Sequence, residues 1–498
     1  MIQSIVVLGG GSAGLLAALT LRRLVPAFKV RLVRSQDIGV IGVGEGTFQY
    51  FPRYLIEVLR LPPAQLYAQA EPTWKLGIKF IWGPRGHFFY TFSRQMNHRW
   101  PDLPRNNGFY CEKEMDSIDV WSALMAAGKA FPRQRDGTPD IAGHQFVGFH
   151  IENKKLVAYL EAQCAANGVA FVDGTVQAVE RDGENVAALI LETGERITAD
   201  LFVDASGFRS ELLGRALNEP FLSYDRSLFC DRAVIGGWAR TSEPVLSYTT
   251  AETMDAGWCW QIEHEHWLNR GYVYSSRFIS DEAARDELVR KNPKVIEEGR
   301  QPRVVKFRTG RFARMWVGNV VGIGNSSGFV EPLEATALAT ITVQCRSLAY
   351  TLFECMGAPT PSLATLYNKL ICESWDEIRD FIALHYKFNT KLQTPFWEAC
   401  TNDTDLQGAA PIVEFYKENG PTAIHEATML RQATIFGMEG YLTMLVGQKV
   451  PYRAQCEASP AQWERWERHR ANFIAIARHG VSVAEALDQV RRPDWKWS

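Results

Sequence analysis

The start of the chain shows a hydrophobic pattern that changes period twice. Ser4–Leu8 is a short β-branched apolar run, which is typical of a buried parallel strand. From Leu15 to Leu24 the apolar residues recur at helical spacing, and Lys29–Val33 returns to a strand pattern. Gly9–Gly14 separates the first strand from the helix and satisfies G-x-G-x-x-G. The pattern predicts a strand, a glycine turn, a helix and a second strand.

This order gives the glycine motif its chemical meaning. Gly9 permits a tight turn, Gly11 lets the backbone approach a pyrophosphate, and Gly14 lets the helix pack closely on the strand. Ser12 and Ala13 open the helix, whose N-terminus would hold the phosphates. We therefore expect a dinucleotide-binding fold.

The residue expected to bind a ribose hydroxyl departs from the common pattern. An acid should follow about 20 residues after the glycine turn, but the chain has Arg34 there, with Asp37 beyond. Either Asp37 substitutes, or Arg34 contacts the adenosine by stacking or through a phosphate. An arginine is also compatible with the 2′-phosphate of NADP.

Later segments favour FAD over a nicotinamide cofactor. Ala199–Gly207 and Asn319–Ser326 are strands that end in turns, and a second glycine-rich turn spans Ile41–Thr47. Repeated returns to a nucleotide fold suit an elongated dinucleotide, with the strand at Val176 passing near the adenine. The predicted architecture is an α/β, Rossmann-like FAD-binding domain of the flavin monooxygenase type with an interleaved, largely helical substrate domain. We assign 1–47 with 151–345 to the first domain, and 48–150 with 346–498 to the second.

Composition narrows the class of protein. The 498 residues suffice for two or three domains, and 46% hydrophobic with 22% charged residues is ordinary for a globular enzyme. A formal net charge of -2 does not favour nucleic acid as a partner. The nine cysteines contain no C-x-x-C pair, which predicts reduced thiols, a cytoplasmic location and no zinc site. The N-terminus shows no basic leader, and no uncharged apolar stretch reaches membrane-spanning length, so we expect a soluble protein without membrane contact.

The stretch Gly328–Ile341, GFVEPLEATALATI, combines a polar turn with a neutral helix start. Backbone N–H groups at such a start point toward an electron-rich partner. Together with four other stretches, it resembles the flavin-dependent halogenase family, best known from the tryptophan halogenases. Those stretches are the N-terminal glycine motif, Ile41–Thr47, Thr73–Phe80 and Gly257–Ile262. A sixth, Arg379–Trp397, resembles a structural segment of that family.

The resemblance implies a reaction and its residues. Family members use reduced FAD, oxygen and a halide, chloride or bromide, to make hypohalous acid, which a lysine carries to the substrate as a haloamine or by hydrogen bonding. Here that lysine is Lys75, and the glutamate beside it is Glu334, a general base or hydrogen-bonding group. The halide would bind the backbone N–H groups of Thr336 and Ala337. Glu331 is expected to be a capping or surface carboxylate.

The resemblance also assigns contacts to the cofactor and the substrate. Gly44, Glu45, Gly324 and Leu338 join the FAD-binding residues. Trp258 and Trp260 would screen the flavin from the substrate, although both also suit an ordinary core. His87 and Phe89 would stack against an aromatic ring. The complete set of expected contacts to FAD is Gly9, Gly11, Ser12, Ala13, Gly14, Arg34, Gly44, Glu45, Val176, Gly324 and Leu338.

Two lysines compete for the relay role, since Lys75 and Lys79 are four residues apart in one strand-like run. The family pattern selects Lys75, whose apolar neighbours disfavour the charged form. Lys79 is expected to be a surface residue.

Three positions depart from the family pattern. Ala335 and Ala337 replace a serine and a glycine, which leaves the backbone N–H groups but reshapes the halide pocket. Glu263 replaces the proline that usually follows W-x-W-x-I, a change expected to alter a turn.

The sequence leaves the substrate and the partners open. The segment 437–455 lacks the acidic and tyrosine pattern that binds the amino-acid group of free tryptophan, which favours an indole or phenol without that group. A separate flavin reductase would supply the reduced FAD, and the protein would be a monomer or homodimer. The competing hypotheses are an FAD-dependent aromatic monooxygenase and a flavin-binding protein whose halide site has decayed.

Overall fold

The computed structural model describes residues 1–36, 38, 39, 44–93, 115–141, 147–297, 301–422, 424, 426–431, 434–454 and 458–497. The strands are β1 (Ser4–Leu8), β2 (Lys29–Arg34), β3 (Glu45–Gly46), β4 (Thr73–Lys75), β5 (Gly77–Ile81), β6 (Phe88–Thr91), β7 (Gly148–Ile151), β8 (Ala170–Asp173), β9 (Val176–Asp182), β10 (Asn185–Leu191), β11 (Arg196–Ile197), β12 (Leu201–Asp204), β13 (Phe221–Ser223), β14 (Arg232–Ala239), β15 (Tyr248–Met254), β16 (Gly257–Glu263), β17 (Trp267–Tyr274), β18 (Arg303–Lys306), β19 (Gly310–Phe312), β20 (Trp316–Val317), β21 (Val320–Gly322) and β22 (Gly328–Phe329). The helices are α1 (Ser12–Leu24), α2 (Tyr50–Arg53), α3 (Pro63–Gln69), α4 (Val120–Ala126), α5 (Asn153–Ala166), α6 (Asp281–Lys291), α7 (Ala337–Glu354), α8 (Pro361–Lys387), α9 (Pro395–Asp403), α10 (Ala410–Asn419), α11 (Glu426–Met429), α12 (Gly437–Gly447), α13 (Pro460–Arg478) and α14 (Val483–Val490).

A six-stranded sheet carries the N-terminal glycine turn. Its order is β20-β21-β12-β1-β2-β8, and the pairs from β21 to β8 are parallel. Parallel strands buried on both faces read as continuous apolar runs, which is why β1 could be recognised from the sequence. The predicted strand, turn, helix and strand are all present, which confirms the α/β, Rossmann-like fold.

A seven-stranded, mainly antiparallel sheet forms the other large layer. Its order is β18-β14-β17-β16-β15-β5-β6, and only the β15–β5 pair among these strands is parallel. A third, smaller sheet has the order β3-β7-β4. The seven-stranded sheet takes strands from both proposed domains, so the domain boundaries stay a prediction.

Long helices cover the sheets, and their apolar faces form most of the core. The C-terminal part of α8 buries Phe381, Ile382, Leu384 and His385, and α7 buries Leu338 to Thr342. No helix among the described residues is both long and apolar enough to cross a membrane. Cysteines in the same ranges form no disulfide, and most are buried; Cys111 and Cys456 lie outside those ranges.

Candidate active site

The start of α1 forms an open cradle of backbone N–H groups. Gly11 precedes the helix, no side chain caps its first turn, and that turn contains no acidic residue. A Cβ atom added at Gly11 would have no neighbour within 4 Å, whereas one at Gly9 would lie 2.2 Å from the Ala205 carbonyl oxygen. At Gly14 it would lie 1.9 Å from the Gly9 carbonyl oxygen. The backbone packs closely at Gly9 and Gly14, and open space remains beside Gly11, where a pyrophosphate would bind. These residues therefore fit FAD.

Other residues predicted to contact the cofactor gather around that cradle. Ser12 Oγ donates to Asn153 Oδ1 at 3.4 Å, and Asn153 Nδ2 donates to Glu45 Oε1 at 2.8 Å. Burial raises the pKa of Glu45 to about 7, although the bond from Asn153 opposes this shift. A Cβ atom added at Gly324 would lie 2.9 Å from Ala13 Cβ, so this turn packs on the helix start. The structure brings these residues together, and their contacts with FAD stay predictions.

Three more predicted cofactor residues lie on other elements of the fold. Val176 begins β9 in a separate three-stranded sheet, and Leu338 is buried in the first turn of α7. Gly44 has a φ of +94°, and a Cβ atom there would lie 2.1 Å from His264 Nε2. Burial lowers the pKa of His264 to about 3, so a neutral imidazole lies against the glycine backbone. Glycine is therefore required at position 44 on both conformational and steric grounds.

Arg34 is already bound within the protein. Its guanidinium pairs with Glu161, donates from Nε to Asp173 Oδ1 at 2.8 Å and stacks 4.4 Å from the centre of the Phe171 ring. Two carboxylates thus compensate the charge that a 2′-phosphate would need, which weighs against NADP. Asp37 lies outside the described residues. An adenosine contact by Arg34 stays a prediction.

Lys75 lies where the chain leaves one sheet and enters another. It ends β4, which pairs with β7, and β5 begins two residues later in the seven-stranded sheet. Between them Leu76 donates its N–H to the Ser247 carbonyl at 2.7 Å. Lys75 is fully buried, whereas Lys79 is only half-buried. Lys75 is thus the more buried of the two lysines, and its selection as the relay residue stays a prediction.

The Lys75 amine has no hydrogen-bond partner among the described residues. Burial lowers its pKa to about 7, and the nearby Glu334 carboxylate opposes this shift. The Nζ atom lies 5.1 Å from the centre of the Phe92 ring. An amine that is neutral for a large share of the time near pH 7 is a competent nucleophile.

Small and polar residues of β3, β7 and β15 surround the amine. A Cβ atom added at Gly46 would lie 3.2 Å from both Lys75 Nζ and Thr249 Oγ1. Thr249 Oγ1 is 2.8 Å from His150 Nε2. Burial lowers the pKa of His150 well below its usual value, and Lys75 lowers it further. A neutral His150 supplies no counter-charge to the amine.

Glu334 lies on a tight turn that ends in a left-handed residue. Pro332–Glu334 form a 3-10 turn, and Ala335 follows with a φ of +56°. Glu334 is fully buried; its Oε1 is 2.6 Å from His385 Nε2, and its Oε2 has no partner in the described part of the chain. The other ring nitrogen of His385 is 2.7 Å from the Phe381 carbonyl oxygen. The motif that contains this histidine was assigned only a structural role, because nothing local shows that His385 faces Glu334 across 51 residues.

The expectation for Glu331 was wrong. Instead of being a capping or surface carboxylate, Glu331 is fully buried. Its Oε1 accepts from Trp258 Nε1 at 2.8 Å and from the Tyr386 hydroxyl. Burial raises its pKa to about 7, and these two bonds oppose the shift. Partners 73 residues earlier and 55 residues later hold it, which no local pattern reveals.

Trp258 and Trp260 project from the same face of β16. Their ring centres are 6.0 Å apart, and Trp260 Nε1 donates to Asn269 Oδ1 at 3.0 Å. Both side chains are buried, and a Cβ atom added at Gly271 would overlap the Trp260 ring. They are therefore packed core residues, and flavin screening stays a prediction.

Glu263, which replaces the family proline, does more than change a turn. Its Oε2 accepts from Arg240 Nη2 at 2.6 Å, and both side chains are buried. Its backbone carbonyl accepts from Thr73 Oγ1 at 2.6 Å. Burial raises the pKa of Glu263, while Gln261 and Arg240 oppose the shift. This residue ties the end of β16 to the strand that carries Lys75.

The structure does not bring His87 and Phe89 together with Lys75. Phe89 lies opposite Lys79 across β5 and β6 and packs edge-to-face against Tyr248 at 5.4 Å. His87 is partly exposed, and its Nε2 lies 3.2 Å from Asp116 Oδ1. Because side chains alternate along a strand, Phe89 projects away from the Lys75 side of the sheet.

Tyr90 and Phe92 occupy the inner face instead. Tyr90 lies opposite Ile78, and its ring centre is 6.1 Å from those of Phe92 and Phe381. Tyr90 and Phe92 thus lie on the Lys75 side of the sheet and Phe89 does not, and the substrate contact expected of His87 and Phe89 stays a prediction.

The predicted halide site lies at the start of α7. Thr336 precedes the helix, no side chain caps it, and its first turn carries no acidic residue. Thr336 is buried, whereas Ala337 is exposed. The backbone N–H groups therefore remain suitable for an anion despite the two alanines, and halide binding stays a prediction.

Comparison with known proteins identifies the family. The family model described as tryptophan halogenase matches residues 4–461. The tryptophan 7-halogenase RebH of Lentzea aerocolonigenes is 31% identical over 452 residues, which cover 84% of this chain and 82% of that protein. The tryptophan 6-halogenase ThaL of Streptomyces albogriseolus is 31% identical over 433 residues, which cover 80% and 78%.

The solved structures agree. MibH, a lanthipeptide tryptophan 5-halogenase, superposes with a TM-score of 0.89 at 35% identity, and the match covers 98% of this chain and 93% of that one. Tar14, a tryptophan C-6 flavin-dependent halogenase, superposes with a TM-score of 0.85 at 29% identity, covering 98% and 100%. The resemblance inferred from the motifs is confirmed, and the chain belongs to the tryptophan halogenase family of flavin-dependent halogenases.

Proposed function

We propose that this protein uses reduced FAD, oxygen and a halide to make hypohalous acid, and that Lys75 passes the halogen to an electron-rich aromatic ring. The observation that carries this proposal is the buried Lys75 amine, which faces Glu334 without a hydrogen-bond partner in the described residues. The residues at the start of α1 would hold reduced FAD, which would supply the electrons that activate oxygen for oxidation of the halide.

The residues around Lys75 support a relay of the halogen. A neutral amine attacks the halogen of hypohalous acid, forming an N–halogen bond while the oxygen leaves with a proton as water. Alternatively, the amine donates a hydrogen bond to the acid. In the first mode the unpartnered Oε2 of Glu334 can take the amine proton and pass it to the departing hydroxide, which leaves as water. In the second mode the same oxygen can accept a hydrogen bond from the O–H of the acid. The apolar surroundings, including Phe92, keep water from competing.

The substrate proposed is an indole or phenol rather than free tryptophan. Tyr90 and Phe92 offer flat rings on the Lys75 side of the sheet. The segment 437–455 lacks the pattern expected for the amino-acid group, and MibH is itself named as a lanthipeptide enzyme. An indole carried within a larger molecule meets both observations.

The test is a reaction with bromide or chloride, oxygen, a separate flavin reductase and a panel of indoles and phenols. Mass spectrometry should detect a halogenated product, and Lys75→Ala should abolish it. Lys79→Ala is the matched control, because that lysine lies on the other face of the sheet and should leave turnover intact. Absence of product in the parent protein, or equal turnover by Lys75→Ala, would contradict the proposal.

The same reaction separates the competing functions. Hydroxylated product with rapid NADPH oxidation by the pure protein would indicate a monooxygenase. No product and no change of the flavin spectrum with halide would indicate a decayed halide site, the alternative that Ala335 and Ala337 suggest.

A further inference from the structure

The two hydrogen-bond partners of His385 determine which of its ring nitrogens carries a hydrogen. It is fully buried on α8, and its Nδ1 lies 2.7 Å from the Phe381 carbonyl oxygen one turn earlier. A carbonyl oxygen only accepts hydrogen bonds, so Nδ1 must carry a hydrogen. The remaining nitrogen, Nε2, lies 2.6 Å from Glu334 Oε1.

A second proton is needed between His385 and Glu334. If the imidazole were neutral with its hydrogen on Nδ1, Nε2 would present a lone pair to a carboxylate oxygen at 2.6 Å, and two acceptors would repel. The contact is favourable only as imidazolium with carboxylate or as imidazole with carboxylic acid. Both forms are neutral overall, so the pair offers Lys75 no net negative charge.

Within the part of the chain that the structure describes, no other group shown near Lys75 replaces that missing counter-charge. From β7, His150 is neutral because burial lowers its pKa well below the usual value, and Arg240 and His264 beyond it are not anionic. From β6, Tyr90 keeps its proton because burial raises its pKa well above the usual value. The other residues shown to lie close to the amine are uncharged: Phe92, Gly46, Thr249 and Ala335.

We propose that His385 is a positioning residue that shares one proton with Glu334 and thereby keeps the Lys75 amine neutral. A neutral amine can form the N–halogen bond, whereas an ammonium ion can only donate hydrogen bonds. His385 would therefore direct Lys75 toward the first of the two relay modes. This inference rests on the proposed function for its consequence, but not for its electrostatics.

The test replaces His385 by glutamine and follows the Lys75 amine directly. The glutamine amide can still donate to Glu334 but brings no ionisable proton, so Glu334 becomes a net anion beside Lys75. The pKa of Lys75, measured by NMR of ¹⁵N-lysine side chains with Lys75→Ala for assignment, should rise by at least about one unit. At pH 7 the value of kcat/KM should fall about ten-fold and recover at higher pH, with little change in KM.

The neighbouring residue supplies a matched control. Tyr386→Phe removes a hydrogen bond from the same helix to Glu331 and should leave the Lys75 titration in place. A Lys75 titration that stays unchanged in His385→Gln would overturn the inference, even if the parent protein halogenates. A shifted titration in a protein that does not halogenate would uphold the inference and reject the proposed function instead.

A measurement on the parent protein covers the case in which the variant does not fold. NMR of ¹⁵N-histidine should show His385 Nδ1 protonated throughout the range in which the protein is folded. A neutral ring with its hydrogen on Nε2 alone would overturn the inference, because that tautomer donates to Glu334 and leaves the carboxylate charged.

Discussion

The two carboxylates of the Glu331–Glu334 turn lie in similar positions but have different partners. Each lies between α8 and a sheet, and consecutive residues of α8 hold them: Tyr386 binds Glu331, and His385 binds Glu334. On the sheet side Glu331 accepts from Trp258, whereas Glu334 faces Lys75.

The two carboxylates differ in whether their partners can exchange protons near neutral pH. They do not differ in burial, since both are fully buried. An indole N–H and a tyrosine hydroxyl do not change charge near neutral pH, and burial raises the pKa of Tyr386 far above its usual value. A lysine and a histidine can exchange protons with Glu334. We infer that the Glu331 end fixes the position of Trp258, and that the Glu334 end carries the chemistry.

The largest effect on halogenation should follow from changing Glu334. Glu334→Gln keeps the shape of the side chain but removes its ability to accept and hold a proton, so halogenation should fall by about 100-fold or more. The measurement is kcat with saturating reduced FAD. Glu331→Gln is the comparison and should lose less than about ten-fold; equal losses in the two variants would remove the distinction.

Changing Glu331 should instead reduce the stability of the fold. Glu331→Ala leaves the Trp258 indole N–H without its acceptor and takes the carboxylate from the Tyr386 hydroxyl. Each such buried donor costs about 1–3 kcal/mol, so the free energy of unfolding should fall by about 2–6 kcal/mol. Urea denaturation with an unchanged m-value is the check, and a loss below about 1 kcal/mol would show that water replaces the carboxylate.

Glu331 and Lys75 should also impose opposite pH dependences on the free energy of unfolding. The pKa of Glu331 is raised from 4.5 to about 7, so the folded state binds the extra proton and this stabilisation is lost as pH rises from about 4.5 to 7. The pKa of Lys75 is lowered from 10.5 to about 7, so the unfolded state binds more protons and stability rises with pH over that interval. Each group contributes a slope of up to about 1.4 kcal/mol per pH unit.

Difference measurements isolate these slopes from other buried groups. Subtracting the unfolding free energies of Glu331→Gln from those of the parent should leave a falling curve below pH 7. The same subtraction for Lys75→Met should leave a rising curve above pH 7. If either difference has the reverse sign, that group is not held in the protonation state that its burial implies.

The sequence predicted what is encoded within one short segment. Strand β1, the glycine turn and α1 follow one another along the chain, so their pattern was sufficient to identify them. The choice of Lys75 over Lys79 needed the family pattern, because the break at Leu76 that separates the two sheets is made by a distant partner, Ser247.

Features that depend on register or on distant contacts could not be predicted. The inner face of β6 is set by its pairing with β5, and a register shifted by one residue exchanges Phe89 for Tyr90. Glu331 appeared to be a surface residue because both of its partners lie far away in the chain. His385 was visible in a quoted motif, yet only the fold shows that it faces Glu334.

The smallest effect should come from adding a methyl group beside Lys75 without changing any charge. Gly46 has no left-handed φ, so Gly46→Ala introduces no backbone strain, but its methyl group would lie 3.2 Å from Lys75 Nζ and Thr249 Oγ1. The flexible lysine must move by a few tenths of an ångström, so the rate should fall about 3- to 10-fold, or about 1 kcal/mol, while thermal stability changes little. Gly86→Ala, where the methyl group meets nothing within 4 Å, is the matched control. A Gly46→Ala enzyme that keeps the parent rate would show that the Lys75 amine tolerates displacement. The contrast between Glu331 and Glu334 would then depend on charge alone and not on the position of the amine.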